Sequence, residues 1–127
     1  MKKPRKPSAA ELEILRYLWE NGPSTVREVH EELGRRRKVG YTGVLKTLQI
    51  MTAKGSVLRD EESRAHIYRA SEPPETTKRQ VAGDMLRSVF AGSASQLLLH
   101  ALDDKSASKD EIAEIRRIIE DYETRKR

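Results

Sequence analysis

"GYTGVLKTLQIMTAKG", residues 40–55, decides how the rest of the chain is read. On a helix of about 3.6 residues per turn, Val44, Leu48 and Met51 fall in one narrow arc, with Leu45 and Thr52 at its edge. The opposite side holds Thr42, Lys46, Gln49 and Ala53, flanked by Gly43, Thr47 and Ile50. A helix that only had to stay soluble would carry Glu and Lys there. This stretch has no Asp or Glu, and Gly55 stops it. The outer face is small, hydroxyl-bearing or cationic. A helix entering the major groove of B-DNA needs such a surface, because long acids there would meet phosphate.

Upstream, "PSAAELEILRYLWENGPS" carries start and stop signals for a first helix. Ser8 with Glu11 makes a capping box, Leu12, Leu15, Leu18 and Trp19 make the apolar stripe, and Asn21-Gly22-Pro23 ends it. Thr25 with Glu28 caps a second, short helix whose inner face is Val26, Val29 and Leu33, and Gly34 is expected to end it. The basic connector "RRRKVG" leads into residues 40–55. Three short helices with a tight second join fit helix-turn-helix geometry.

Downstream the period changes. "SVLRD" and "AHIYRA" read as two strands around "EESR", a hairpin with a charged tip and Ile67 and Tyr68 as its anchors. A helix-turn-helix followed by such a hairpin is a winged helix. "SEPPE" is a break without periodicity, so the expected domains are 1–72, a winged-helix DNA-binding domain, and 73–127, a helical dimerisation domain. The second domain reads as three helices. Val81, Met85, Leu86, Val89 and Phe90 face one way on the first, which Gly92 ends. "SASQLLLHALDD", opened by Ser93 and Gln96, is apolar nearly all round and so should be buried. The last, capped by Ser108 with Glu111, has the stripe Ile112, Ile115, Ile118, Ile119 and Tyr122, and a basic "RKR" end suited to its dipole. So short a segment cannot easily bury all these faces within one chain. A homodimer could, through Phe90, Leu97, Leu98, Leu102, Ile115 and Ile119. The other arrangement folds these faces back onto the N-terminal domain.

The fold class expected is therefore mainly α with a small β-hairpin. Charge agrees with the division. The chain carries +5, but residues 1–70 hold 15 Lys and Arg against 9 Asp and Glu, whereas residues 71–127 hold 10 against 11. A basic half points to a polyanion such as nucleic acid. There is no cysteine, which removes disulfides, thiol nucleophiles and Cys-based metal sites. His30, His66 and His100 lie in three different elements and at no metal-motif spacing, and there is no Gly-rich phosphate loop. Neither an enzyme nor a cofactor is expected. No apolar run approaches the roughly 18–20 residues that span a bilayer, and acids follow the basic start, so neither a membrane span nor a signal peptide is read and the cytoplasm is the expected location.

Candidate DNA contacts follow from residue chemistry. Thr42 and Thr47 offer a hydroxyl to a base edge and a methyl to thymine. Lys46 reaches guanine or phosphate, and Gly43 lets the backbone come close. Tyr41 stands at the helix start, where free N–H groups also face phosphate. Arg37 and Lys38 neutralise backbone charge, as do their neighbours Arg35 and Arg36, while Arg59, Arg64 and His66 in the hairpin reach phosphates or the adjacent minor groove. Charge alone equally permits a sequence-independent architectural DNA binder, and a winged helix can also serve as a protein-interaction adaptor.

"LEILRYLWENGPSTVREVHEEL" and "GYTGVLKTLQIMTAKGSVLRDEESRAHIYRA" resemble the penicillinase-repressor family, of the BlaI, MecI and CopY type. The most specific shared features are the Leu-Trp end of the first helix, the Tyr-Thr start and "KG" end of the third, and "R-x-H-x-Y" in the return strand. The resemblance implies a dimeric winged-helix repressor on a palindromic operator, with Tyr41 to Lys54 in the major groove. It also implies a link to antibiotic resistance and a regulatory protease as partner, since β-lactam-responsive members are cut at an Asn-Phe bond in the short helix of the dimerisation domain. The matching position here is His100-Ala101, which departs from that pair. The cysteine-rich metal site of copper-responsive members is absent from this sequence.

Overall fold

The computed structural model describes residues 6–62, 64–104 and 107–126. Residues 1–5, 63, 105, 106 and 127 lie outside the described residues, and with them one residue of the charged hairpin tip and the last of the basic C-terminal end. The elements run α1 (Ala9–Asn21), β1 (Ser24–Thr25), α2 (Val26–Arg36), α3 (Tyr41–Lys54), β2 (Val57–Asp60), β3 (Ile67–Ala70), α4 (Pro74–Ser88), α5 (Ala94–Asp104) and α6 (Lys109–Arg125). This is the mainly α winged helix-turn-helix expected, with helices following it. Two compact units divide between Gly83 and Asp84, inside α4. The break read at 72/73 instead falls where the chain enters that helix.

In the first unit α1 and α2 each begin after a residue whose side chain caps them, whereas Gly40 before α3 offers no side chain. Ser8 Oγ accepts from the Glu11 N–H at 3.2 Å, and the Glu11 carboxylate accepts from the Ser8 N–H at 3.1 Å. Thr25 and Glu28 repeat the exchange at 3.2 and 2.9 Å. Gly22 and Gly55 close α1 and α3 at φ 79° and 84°, where a Cβ would be strained. Gly34, expected to end α2, lies inside it. Its φ is not positive, and the helix continues to Arg36, with the Arg37 N–H bonded to the Leu33 carbonyl at 3.1 Å.

The core is one cluster. Ile14, Leu15 and Leu18 come from α1, Val26, Val29 and Leu33 from α2, and Val44, Leu48 and Met51 from α3, closed by Val57 and Tyr68 from the sheet. Two details correct the stripe read on α1. Ile14, not Leu12 or Trp19, faces the centre, and Glu11 is buried at 5% exposure. Glu11 is tolerated there because Lys54, at the end of α3, donates to both of its oxygens at 2.9 and 3.0 Å. The hairpin also has a third strand. β1 pairs with β3, Ser24 opposite Tyr68 and Thr25 opposite Ile67, giving the antiparallel order β1-β3-β2. Of the two expected anchors, Tyr68 is fully buried and Ile67 half-buried.

The second unit contains the end of α4, a turn with Ala91 and Gly92 at φ 48° and 85°, then α5 and α6. The Gln96 N–H donates to Ser93 Oγ at 3.2 Å and the Glu111 N–H to Ser108 Oγ at 3.1 Å. Burial of α5, expected from its apolar circumference, does not occur within one chain. Neither α5 nor α6 has a buried residue among those described. Leu97, Leu98 and Leu102 are half-buried, and Leu99 is 51% exposed. A unit this short cannot surround its own apolar side chains.

Candidate nucleic-acid interface

α3 presents the face its sequence promised. Val44, Leu48 and Met51 point inward, whereas Tyr41, Thr42, Gly43, Lys46, Gln49 and Ile50 are exposed. Nothing inside the fold requires glycine at position 43. A Cβ built there would meet only Val39 Cγ2 at 3.9 Å, an ordinary contact. An exposed helical glycine costs about 1 kcal/mol relative to alanine, so its use here is not explained by packing. Thr47 is half-buried and its hydroxyl donates to the Gly43 carbonyl at 2.9 Å. That leaves its lone pairs and methyl, but not its proton, for an outside partner.

The turn before α3 is held by His30. Its Nε2 lies 3.0 Å from the Val39 carbonyl, and its ring meets Tyr41 edge-on at 5.9 Å between centroids. His30 is thus half-buried and fixes the start of α3.

The cations separate into two groups. Arg37 is drawn to Glu13, at 2.7 Å from Nη2 and 3.0 Å from Nε, and Arg35 and Arg36 both face Glu32. Arg59 pairs with Glu61, whose hydrogen bond, with Tyr68 behind it, makes the guanidinium harder still to deprotonate, while Arg59 in turn holds the Glu61 carboxyl below its usual range. Lys38, Lys46 and Arg64 are exposed and enter no ion pair among the described residues. The structure gathers Tyr41, Arg64 and His66 around an open cleft of about 580 Å3, and adds Arg27, which the sequence reading passed over. Its signal was a basic residue in the first turn of α2, beside a cap.

The residues expected in a dimer contact lie in the second unit. Phe90, Leu97, Leu98, Leu102 and Ile115 are half-buried, and Ile119 is 48% exposed. Val89, Leu99, Ile112, Ile118 and Tyr122 are exposed near them in sequence. His100 and Ala101 are exposed, and the His100 ring lies 5.8 Å from that of Phe90. No cluster that could hold a metal occurs among the described residues, and no described helix is long and apolar enough to cross a membrane.

A family model for the penicillinase repressor matches residues 7–121. The chain belongs to the penicillinase repressor family. Within that family it is 34% identical over 115 residues to the transcriptional regulator BlaI of Mycobacterium tuberculosis, covering 87% of this chain and 80% of that one. It is 24% identical over 127 residues to the penicillinase repressor of Bacillus licheniformis, covering 100% and 99%. It is 21% identical over 112 residues to the methicillin resistance regulatory protein MecI of Mammaliicoccus sciuri, covering 88% and 91%. The solution structure of the DNA binding domain of the repressor BlaI superposes with a TM-score of 0.52 at 26% identity, over 58% of this chain and 90% of that one. The penicillinase repressor family consists of transcriptional repressors rather than enzymes.

Proposed function

We propose that this penicillinase repressor family member is a sequence-specific repressor that binds a palindromic operator as a homodimer. The observation that carries the reading is the outer face of α3, exposed and free of acids, with Lys46, Lys38 and Arg64 in no ion pair among the described residues. In this reading α3 lies in the major groove. Thr42, Gly43, Lys46 and Thr47 meet base edges there, and Tyr41, Lys38, Arg64 and His66 meet backbone. Arg37 and Arg59 take part only by leaving Glu13 and Glu61. The dimer rests on the apolar faces of α5 and α6, which one chain leaves half-buried or exposed. Two linked copies would address two half-sites at once. Cleavage in the exposed segment His100-Ala101 would split α5 and remove α6 from the dimer, which makes it the place where a regulatory protease would release the operator.

The test is fluorescence anisotropy of the purified chain on duplexes tiling its upstream region, against a scrambled duplex, at two salt concentrations. Binding to one palindromic tile at least ~1000-fold over the scrambled control is expected. Equal binding to every tile, lost as salt rises, would replace the reading with an architectural DNA binder. Lys46→Ala is expected to cost about 1–3 kcal/mol on the operator and little on scrambled DNA. Equal losses on both would remove Lys46 from base recognition.

A further inference from the structure

α1 and the first half of α4 leave between them a groove of about 280 Å3. Leu12, Trp19, Val81 and Ala82 line it together with Arg16 and Lys78. Only apolar atoms face inward, so the two cations contribute their methylene stems and keep their charged ends at the rim. All of these residues belong to the N-terminal unit. Internal partners hardly occupy the rim. Arg16 is exposed and in no ion pair among the described residues, and Lys78 meets Glu75 only at 4.0 Å, with both side chains largely exposed. The indole is held in place by its Nε1, which donates to the Glu72 carbonyl at 3.3 Å.

An apolar floor with two cations at its edge selects a particular chemistry. A hydrocarbon body gains by leaving water. A carboxylate beside a guanidinium and an ammonium gains hydrogen bonds charged on both sides, stronger than those a neutral head group accepts and closed to a cationic one. We propose that this groove is a binding site for a small amphipathic carboxylate, with its apolar body against Trp19 and Val81 and its head group between Arg16 and Lys78. The site is separate from the face of α3. Its α4 wall, Thr77 to Ala82, continues as the same helix past Asp84 into the second unit, so a ligand there rests on an element that both units share.

Trp19 is the only tryptophan in the chain, and its emission reports on the groove directly. The full chain would be titrated with octanoate, 1-octanol and octylammonium, three probes with one tail and different head groups. A saturable change in Trp19 emission is expected, with octanoate about tenfold tighter than the other two. The double variant Arg16→Gln/Lys78→Gln is expected to retain the weak response to octanol and lose the preference for octanoate. Both side chains are exposed, so the substitutions leave the core intact. Equal responses to the three probes, a response that never saturates, or a preference that survives the double variant would each overturn the proposal. The measurement uses no DNA, so its failure is distinct from failure of the repressor reading.

Discussion

The two units use apolar residues in opposite ways. Residues up to Gly83 enclose a core, with Tyr41, Ile50 and Leu58 left outside it. Leu48, Met51, Val29 and Val57 are at 0% exposure, and the buried carboxylate of Glu11 has its cation. From Asp84 onward the apolar residues are as prominent in the sequence, yet Val89 is 68% exposed and Ile118 and Ile119 are each 48% exposed. The same hydrophobic periodicity thus gives a closed core in one unit and an open surface in the other. What differs is the supply of neighbours. Three helices and a sheet surround a centre, whereas α5 and α6 with a helix end do not. Periodicity shows which face of a helix is apolar and leaves open whether the cover comes from the same chain.

The largest effect is expected where the open surface would be covered. Ile119→Asp should weaken self-association about 1000-fold, since a carboxylate would be buried without a partner. Sedimentation equilibrium measures it, and an unchanged dimer would remove α6 from the contact. Next, Leu48→Ala should destabilise the N-terminal unit by about 3 kcal/mol in urea unfolding, equally at low and high protein concentration. A concentration-dependent loss would mean that this unit, too, depends on association. Lys54→Met should cost about 2 kcal/mol near neutral pH by leaving Glu11 buried and unpaired. Burial alone would raise the Glu11 carboxyl, but hydrogen bonds from Lys54 and Ser8 outweigh it and hold the group below its ordinary 4.5. A lowered pKa contributes stability in full above the unfolded-chain value, and that contribution fades as pH falls through the lower folded value. The gap between wild type and Lys54→Met should therefore be complete at neutral pH and narrow in acid below 4.5. A gap independent of pH would show that Lys54 does not act through its ion pair with Glu11. The smallest effect, about 1 kcal/mol in the same unfolding measurement, is expected for Thr25→Ala, which removes one cap.

Much of the first unit was legible because its signals are local. Ser8-Glu11 and Thr25-Glu28 are capping boxes within four residues, and Val44, Leu48 and Met51 show their period in one helix. The misreadings involve partners distant in sequence. Glu11 read as the capping-box partner of Ser8 and no more, because Lys54 lies 43 residues away. β1 is two residues long, too short for any alternation, and exists only because β3 lies beside it. Gly34 looked like a stop, but a glycine ends a helix only when the chain there turns to positive φ. On α3, residue type and period separated the exposed face from the buried one. Residue type could not separate Lys46 and Arg64, which enter no ion pair among the described residues, from Arg37 and Arg59, which Glu13 and Glu61 have engaged.

Thr25 occupies two structures at once. It closes the ladder opposite Ile67 and caps α2, whose first residue is its neighbour Val26. No spacer separates the wing from the helix-turn-helix, which has a consequence for how this chain tolerates changes in length. One residue inserted between Thr25 and Val26 would uncouple cap from ladder and turn α2 by about 100° relative to the sheet, which moves Val29 and Leu33 off the core. The same insertion between Asp60 and Ile67 would lengthen an exposed hairpin tip and leave every buried residue in place. Length variation in this part of the chain should therefore collect at the tip and be absent from the Thr25–Val26 joint.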